Sequence, residues 1–233
     1  MCIRDRLRIP SVPIHAEPLV VLAGKPAKTS PSLIHIRTLE GKFMHDRTTD
    51  FISLYNAFWY RDFPVVDGPI DFAKRADWTT HIATSIRQIA SLMGLFSCFE
   101  SGGRTDAELQ FANRKVWAKV EWEWDEPRDH KPDQGEVTKL AKASGGADVC
   151  VFIGYSQEKH LEANLGLIKD TWGAIDKPLI IVLTTFVKDS KWRYFKELRT
   201  YVCDSRGILD VRQQPALPWE VKNSRWQSPY GID

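Results

Sequence analysis

The clearest alternation of apolar and polar positions lies between residues 106 and 124. Apolar residues occupy every second position there, which is typical of β-strands with one buried face. In the second half, the apolar face carries Val116, Ala118, Val120, Trp122 and Trp124. The opposite face carries Trp117, Lys119, Glu121 and Glu123. Residues 106–112 alternate in the same way, so the pattern predicts two neighbouring strands.

The segment Asn113-Arg114 separates the two strands, and Asn tolerates the positive φ that tight turns require. The alternation therefore predicts a β-hairpin with one register. That register places Gln110 opposite Trp117, Glu108 opposite Lys119, Asp106 opposite Glu121 and Arg104 opposite Glu123. Glu108 would have a cationic neighbour, whereas Asp106 and Glu121 would face each other.

Two carboxylates held roughly 5 Å apart repel by about 3 kcal/mol at an effective dielectric constant near 20. A raised pKa, open water or a bound cation would relieve this repulsion between Asp106 and Glu121. Because Glu123 adds a third carboxylate beside the pair, we expect a cation. Mg²⁺ prefers carboxylate and water oxygens, and Mn²⁺ is the expected substitute.

This arrangement resembles the PD-(D/E)xK nuclease superfamily, which has the restriction-endonuclease-like fold. The matching residues are Asp106, in Gly-Arg-Thr-Asp-Ala, and the Glu121-Trp122-Glu123 segment, which follow a predicted helix. Lys usually occupies the last position of the motif. Glu123 replaces it here, as in the Glu-x-Glu variant of some restriction enzymes. The resemblance covers roughly residues 77–200.

The resemblance implies roles for the matched residues. Asp106 and Glu121 would bind one or two Mg²⁺ ions with help from the Trp122 carbonyl group. Glu123 would orient or deprotonate the attacking water. The bound metal would stabilise charge on the scissile phosphate and lower the pKa of the nucleophilic water.

Other charged residues could complete such a site. Glu100 is the candidate for a carboxylate that several relatives supply from the preceding helix. Lys119 shares the polar face and could contact the phosphate, although pairing with Glu108 is the simpler interpretation. In some relatives a neighbouring helix supplies the missing lysine, which makes Lys139 and Lys142 candidates. For Asp106, Glu121 and Glu123, the competing interpretation is a strand face exposed to solvent. For Glu100 it is an ordinary surface carboxylate.

The remaining periodicity predicts alternating helices and buried strands. Helices are predicted over residues 51–60, 77–94, 136–143, 157–172 and 190–202, and buried strands over residues 147–154 and 179–185. This order indicates an α/β fold with a partly parallel sheet. The resemblance implies a restriction-endonuclease-like mixed β-sheet flanked by helices.

The chain divides into four predicted parts. Residues 1–6 resemble translated sequencing-adapter read-through, and we treat them as a non-native leader. Residues 7–69 form an N-terminal extension of uncertain structure, with possible strands at residues 19–23 and 33–36. Residues 70–205 form the nuclease-like core. Residues 206–233, rich in Pro and Trp, form an arm that packs irregularly or contacts DNA.

Composition constrains the partners only weakly. The net charge is +2 and the pI is near 8.3, so DNA binding would need a local basic surface. The richest candidate stretch contains Lys188, Lys191, Arg193, Lys196, Arg199, Arg206, Arg212, Lys222 and Arg225. No apolar run approaches the ~20 residues of a membrane span. Four cysteines without CxxC spacing indicate reduced thiols and a cytoplasmic protein.

The sequence therefore predicts a Mg²⁺-dependent DNA endonuclease, in a restriction, phage or repair context, that could act as a homodimer. The main alternative is a catalytically inactive nuclease-like module that binds nucleic acid or protein, with Glu123 as a sign of decay. A third interpretation treats residues 147–186 as half of a nucleotide-binding domain. It ranks last because Gly154-Tyr155-Ser156 lacks the GxGxxG glycines.

Overall fold

The structure, a computed structural model, describes residues 46–65, 74–100, 105–131, 133–189 and 192–226. The helices in these residues are α1 (Asp46–Arg61), α2 (Arg75–Leu92), α3 (Glu136–Ala143) and α4 (Leu161–Trp172). The strands are β1 (Phe96–Phe99), β2 (Ala107–Gln110), β3 (Val116–Trp122), β4 (Ala147–Gln157), β5 (Leu179–Asp189), β6 (Trp192–Asp204) and β7 (Gly207–Pro215). Short 3₁₀ turns lie at Pro127–Asp129, Glu158–His160 and Pro218–Glu220.

The seven strands form one sheet in which the spatial order is the chain order, β1 to β7. The pairs β3–β4 and β4–β5 are parallel, and the other neighbouring pairs are antiparallel. Parallel neighbours need a crossover connection, which α3 and α4 supply. The prediction of an α/β fold with a mixed sheet and flanking helices is confirmed at this level.

Each face of the sheet has its own apolar core. The first core joins α1 and α2 to the sheet through Phe51, Trp59, Trp78, Ile86 and Val151. The second core joins α3 and α4 to the opposite face through Leu140, Phe152, Ile168, Trp172 and Ile181. Neighbouring residues of β4, such as Val151 and Phe152, enter different cores, because successive side chains of a strand point to opposite faces.

Helix α2 immediately precedes the strands that carry the predicted site. Its apolar residues recur at helical spacing, and Ile82, Ile86 and Ile89 are buried. Asp77, in the first turn, accepts a hydrogen bond from the Lys74 backbone N–H. The helix ends before Gly94, whose φ of +69° suits glycine and turns the chain toward β1.

The predicted helix at residues 190–202 is wrong, because Trp192–Asp204 forms strand β6. Phe195 and Leu198 are both buried in the first core, and their spacing of three residues imitates a helical stripe. In the sheet Phe195 pairs with Phe186 and Leu198 with Thr184, so β6 carries one extra residue there. This β-bulge returns the side chain to the same face after three residues instead of two.

The end of the described chain also extends the sheet. Residues 207–215, which the sequence assigned to an arm, form strand β7 along β6. The predicted strands at residues 19–23 and 33–36 lie outside the described residues. The aromatic helix expected at residues 51–60 is confirmed within α1. Among the described residues, the structure contains no helix of the length and apolarity needed to cross a membrane.

Candidate functional site

Strands β2 and β3 form the predicted antiparallel hairpin. Glu108 lies opposite Lys119 and Ala107 opposite Val120, as the alternation predicts. Continuing this register by one residue brings Asp106 opposite Glu121. Gln110 pairs with Val116 rather than with Trp117, because the register shifts between Leu109 and Gln110. The irregularity lies toward the turn, so it does not disturb the acidic end of the hairpin.

The turn differs in detail from the prediction. Arg114, rather than Asn113, has the positive φ of 65°. The Arg114 N–H donates to the Phe111 carbonyl group, and the Asn113 side chain accepts from the Lys115 N–H at 3.0 Å. Asn113 therefore stabilises the turn through an Asx hydrogen bond.

Asp106 directly precedes β2, and its carboxylate is fixed to β3. Oδ2 accepts a 2.8 Å hydrogen bond from the Trp122 backbone N–H. In an extended residue the N–H and C=O groups point to the same side of the strand, as ladder pairing requires. The Trp122 carbonyl group, predicted as a metal ligand, is therefore expected on the β2 side as well.

Glu121 is almost fully buried, because only 2% of the residue is exposed. Its Oε1 atom is buried, and no hydrogen-bond partner reaches it from the described residues. Burial, the Asp106 charge and then the Glu136 charge raise the pKa of Glu121 to about 9. At pH 7 Glu121 is therefore protonated, and its carboxyl group hydrogen-bonds to Asp106.

Burial also raises the pKa of Asp106, although the Trp122 N–H and the Glu121 carboxyl group both stabilise its ionised form. The two side chains thus share one proton, as expected for like charges in a confined space. The sequence had left three ways to relieve the repulsion open. In the structure the pKa values of both carboxyl groups are raised.

Helix α3 brings two further charges to this pair. Glu136 opens the helix, and Lys139 follows three residues later; their side chains form a 2.5 Å ion pair. Both residues interact electrostatically with Asp106 and Glu121. Lys139 was predicted as a candidate lysine, whereas Glu136 was not identified from the sequence. Its only sequence signal was its position in the first turn of the helix that follows the Glu-x-Glu motif.

Lys119 contacts the C-terminal end of α3, which is the end opposite to Glu136. Its Nζ atom lies 3.6 Å from Oε1 of Glu108 and donates a 2.7 Å hydrogen bond to the Ala143 carbonyl group. A cation at the C-terminus of a helix is stabilised by the unpaired carbonyl groups there. The arrangement agrees with the simpler interpretation of Lys119 as the partner of Glu108.

Glu123 lies just beyond the end of β3 and has other partners. Its Oε1 atom accepts hydrogen bonds from Arg75 of α2 at 3.0 Å and from the Trp124 and Asp125 backbone N–H groups. The strand ends at Trp122, so the alternation that predicted its direction no longer applies. The structure places Glu123 with Arg75 rather than beside Asp106 and Glu121 as a third carboxylate.

The last predicted residues lie at the margin of the site. Glu100 follows β1 in a turn, with a positive φ of 51°, and not on a helix as the resemblance implied. Its backbone N–H donates to the Asp106 carbonyl group at 3.0 Å. Lys142 contacts the Asp133 carbonyl group at 3.4 Å. Neither side chain is shown to contact the carboxyl pair.

No group of three or more His, Cys, Asp and Glu side chains in the described chain is arranged to hold a metal ion. The fit of a metal therefore depends on the carboxyl pair alone. Asp106 and Glu121 offer hard oxygen donors, and Glu121 Oε1 is a buried acceptor without a donor. This chemistry suits Mg²⁺ or Mn²⁺, which take carboxylates, carbonyl groups and water.

The segment between β3 and α3 is anchored by Glu126, a buried carboxylate that the sequence analysis did not single out. Its oxygens accept hydrogen bonds from the Gln157 backbone and side chain and from the Asn164 side chain. His160 Nδ1 lies 3.2 Å away. Burial opposes ionisation, but these hydrogen bonds outweigh it and lower the pKa of Glu126. Glu126 thereby ties the segment to β4 and α4.

Some arginines of the basic stretch predicted near the C-terminus make contacts within the fold. The Arg193 guanidinium group stacks over Trp124 and donates to its carbonyl group at 2.6 Å. Arg199 pairs with Glu197, and Arg206 pairs with Asp204. These three arginines make contacts within the fold around β6 and β7. Fewer free positive charges therefore remain on this stretch to bind DNA.

No protein-family model matches the chain, and no curated protein is similar to it in sequence. Among solved structures, it is similar to a carbon-nitrogen hydrolase from Helicobacter pylori G27, with a TM-score of 0.38, 10% identity, and coverage of 73% of this chain and 82% of that one. It is also similar to the YaeQ protein from Pseudomonas syringae, with a TM-score of 0.25, 11% identity, and coverage of 73% and 77%. The YaeQ protein from Xanthomonas axonopodis pv. citri gives a TM-score of 0.23, 11% identity, and coverage of 57% and 77%. Likenesses this weak carry no argument about fold family or function.

Proposed function

We propose that this protein is a metal-dependent DNA endonuclease of restriction-endonuclease-like fold. One observation carries the proposal: the hairpin brings Asp106 and Glu121 together in a buried, proton-sharing pair with an acceptor, Glu121 Oε1, that has no donor. Such a pair costs folding free energy, and carboxyl groups with strongly shifted pKa values cluster at functional sites. A divalent cation would replace the shared proton and use both carboxylates.

The order of elements around the pair supports the proposal. Helix α2 is followed by the antiparallel strands β1, β2 and β3, and α3 then crosses to β4, which is parallel to β3. Asp106 begins the hairpin and Glu121 lies on its second strand, as the sequence resemblance requires. The polar pair therefore sits on a rigid scaffold rather than on a mobile loop.

The chain's own residues have distinct roles in the proposed site. Asp106, Glu121 and the Trp122 carbonyl group would hold Mg²⁺ or Mn²⁺. When bound, the ion supplies a Lewis acid that stabilises phosphate charge and activates water. The motif has Glu123 at the position where Lys is usual. Lys139 of α3 would supply the missing positive charge. Its half-exposed amine suits it to orient the scissile phosphate.

DNA would approach over exposed cations on α3 and in the segment that precedes it. Arg128 and Lys131 lie in the segment between β3 and α3, and Lys139 and Lys142 lie on α3; all four are exposed. Phosphate contacts of this kind bind DNA without reading its sequence. A homodimer that cuts both strands and a cytoplasmic location belong to the same proposal. Cys150 and Cys203 are buried free thiols, which a reducing compartment would preserve.

The test is cleavage of supercoiled plasmid DNA with Mg²⁺, with Mn²⁺ and with EDTA. We expect wild-type cleavage with either metal and none with EDTA. The variants Asp106→Asn and Glu121→Gln should each lose cleavage by about 10²-fold or more, because both hold the activating ion. The matched control is Asp148→Asn, which removes a carboxylate from the exposed ion pair with Lys115.

Equal cleavage by the wild type and both site variants would refute the proposal, since a contaminating nuclease would explain it. The second candidate is an inactive nuclease-like module that binds nucleic acid or protein. The engagement of Glu123 by Arg75 favours it, because the last position of the motif is then unavailable for chemistry. Binding of DNA at equal affinity with and without metal, and with no cleavage, would identify this module.

A further inference from the structure

We propose that Glu136 and Lys139 form a cation-operated latch, in which Glu136 holds Lys139 until a divalent ion binds and draws the Glu136 carboxylate away. This inference rests on the proposed metal site, but it concerns how that site is regulated. In the metal-free arrangement the lysine amine is occupied. In the metal-bound arrangement it is released to contact a phosphate group.

The first support is the position of Glu136. It is the first residue of α3, directly after Gly135, and its side chain is only 13% exposed. Its charge acts on both Asp106 and Glu121, so it lies within electrostatic range of the pair. Glu121 is itself 98% buried with its Oε1 unpartnered among the described residues, which provides a free ligand atom in the pair on which Glu136 acts.

The second support is that the three carboxylates do not converge while Lys139 is bound to Glu136. The described residues contain no group of three acidic side chains arranged for a metal. A glutamate can swing its carboxylate by rotamer changes without disturbing the helix backbone. In the described structure the Glu136 carboxylate is engaged by Lys139 at 2.5 Å instead.

The third support is the weakness of that ion pair. The Lys139 side chain is 52% exposed, and water-exposed ion pairs stabilise a protein little. A divalent ion carries twice the charge of the ammonium group and is held at close range by two other carboxylates. It therefore competes well for Glu136, and Lys139 loses its only partner among the described contacts.

The binding test uses Mn²⁺, followed by the electron paramagnetic resonance signal of free Mn²⁺ in the presence of the full chain. We expect Glu136→Gln to weaken Mn²⁺ binding by about tenfold or more, as removal of a ligand or its supporting partner does. Lys139→Met should strengthen binding. Lys115→Met, which breaks the exposed Lys115–Asp148 pair, is the matched control and should change nothing.

Removing a positive charge would strengthen cation binding even without a latch, so the double variant is needed. With a latch, Lys139→Met should strengthen binding less in the Glu136→Gln background than in the wild type. Equal strengthening in both backgrounds means simple repulsion and overturns the latch. A double-mutant cycle isolates this interaction.

A direct readout is the side-chain NMR signal of Lys139, assigned by its absence in Lys139→Met. Addition of Mg²⁺ to the wild type should move this signal to the position it has in metal-free Glu136→Gln. An unchanged Lys139 signal at saturating Mg²⁺ overturns the latch. If Glu136→Gln is poorly folded, Glu136→Asp replaces it, because Asp preserves the negative charge at the helix start but is one methylene shorter.

The outcomes separate the two proposals. Loss of Mn²⁺ binding in Asp106→Asn with unchanged binding in Glu136→Gln leaves the metal site standing and removes the latch. Equal Mn²⁺ binding by the wild type, Asp106→Asn and Glu121→Gln removes the proposed metal site, and the latch with it.

Discussion

The Trp122 backbone N–H donates a 2.8 Å hydrogen bond to Oδ2 of Asp106, a residue 16 positions earlier in the chain. This contact continues the β2–β3 pairing with a side chain where the backbone ladder ends. It holds the Asp106 carboxylate against β3, beside the residue that precedes Trp122. The buried pair of Asp106 and Glu121 is thus set by the hairpin itself.

Metal binding should depend steeply on pH. The pKa of Glu121 is raised to about 9, mainly by burial, and a carboxyl group must lose its proton to bind a metal. The Mn²⁺ affinity should therefore rise by up to about tenfold per pH unit between pH 6 and pH 9, with release of about one proton per ion. Calorimetry in buffers of different ionisation enthalpy measures that proton. A flat affinity over this range would contradict the shared-proton pair.

The stability of the metal-free protein should fall as the pH rises. The pKa of Glu121 is raised to about 9 in the folded state from its ordinary value of 4.5, so the folded state binds more protons between these values. The free energy of unfolding then decreases with pH, by at most about 1.4 kcal/mol per unit, and levels off above pH 9. Glu121→Gln should flatten this slope in urea denaturation with EDTA. Asp148→Asn should retain it.

Glu126 should give the opposite pH dependence. Its pKa is lowered below 4.5, so its stabilising contribution is complete above pH 4.5 and is lost as the pH falls through the folded-state pKa. Glu126→Gln should destabilise the protein by about 1–3 kcal/mol near pH 7, because the amide NH₂ group that replaces one carboxylate oxygen cannot accept hydrogen bonds and would face donors. Acid unfolding monitored by circular dichroism should then be less steep. Identical acid transitions in the two proteins would exclude this role.

The Lys119–Glu108 pair should behave as a buried ion pair. Lys119 is 9% exposed and Glu108 is 5% exposed. Removal of one partner leaves an uncompensated charge, so Lys119→Met should lower the free energy of unfolding by about 3–5 kcal/mol. The double variant Lys119→Met/Glu108→Gln should recover part of this loss, because no charge then remains buried. If the double variant loses the sum of the two single effects, the residues do not interact.

Strand alternation alone was sufficient to predict the acidic end of the hairpin. A shift of the strand pairing by one residue would turn every side chain of a strand to the other face. Keeping the apolar face of residues 116–124 toward the core therefore allowed only one register. That register placed Asp106 opposite Glu121, and the helix predicted over residues 136–143 coincides with α3. Both predictions depend on patterns among residues that are close in the sequence, and such patterns can be identified without a structure.

Residues whose partners are distant in sequence could not be assigned this way. Glu123 pairs with Arg75, which lies 48 residues earlier, so the alternation of β3 says nothing about it. Strand β6 looked helical because a bulge beside Thr185 gives Phe195 and Leu198 a spacing of three.

The sequence by itself identified the two carboxyl groups, the strand face that they share and the α/β class, because each follows from the periodicity of apolar and polar side chains. Only the tertiary structure decided which charges surround the pair. Glu136 and Lys139 reach it because α3 packs against β3, and that contact depends on a crossover to β4 rather than on any spacing in the chain. Packing between elements is set by the whole core, and a one-dimensional pattern does not contain it.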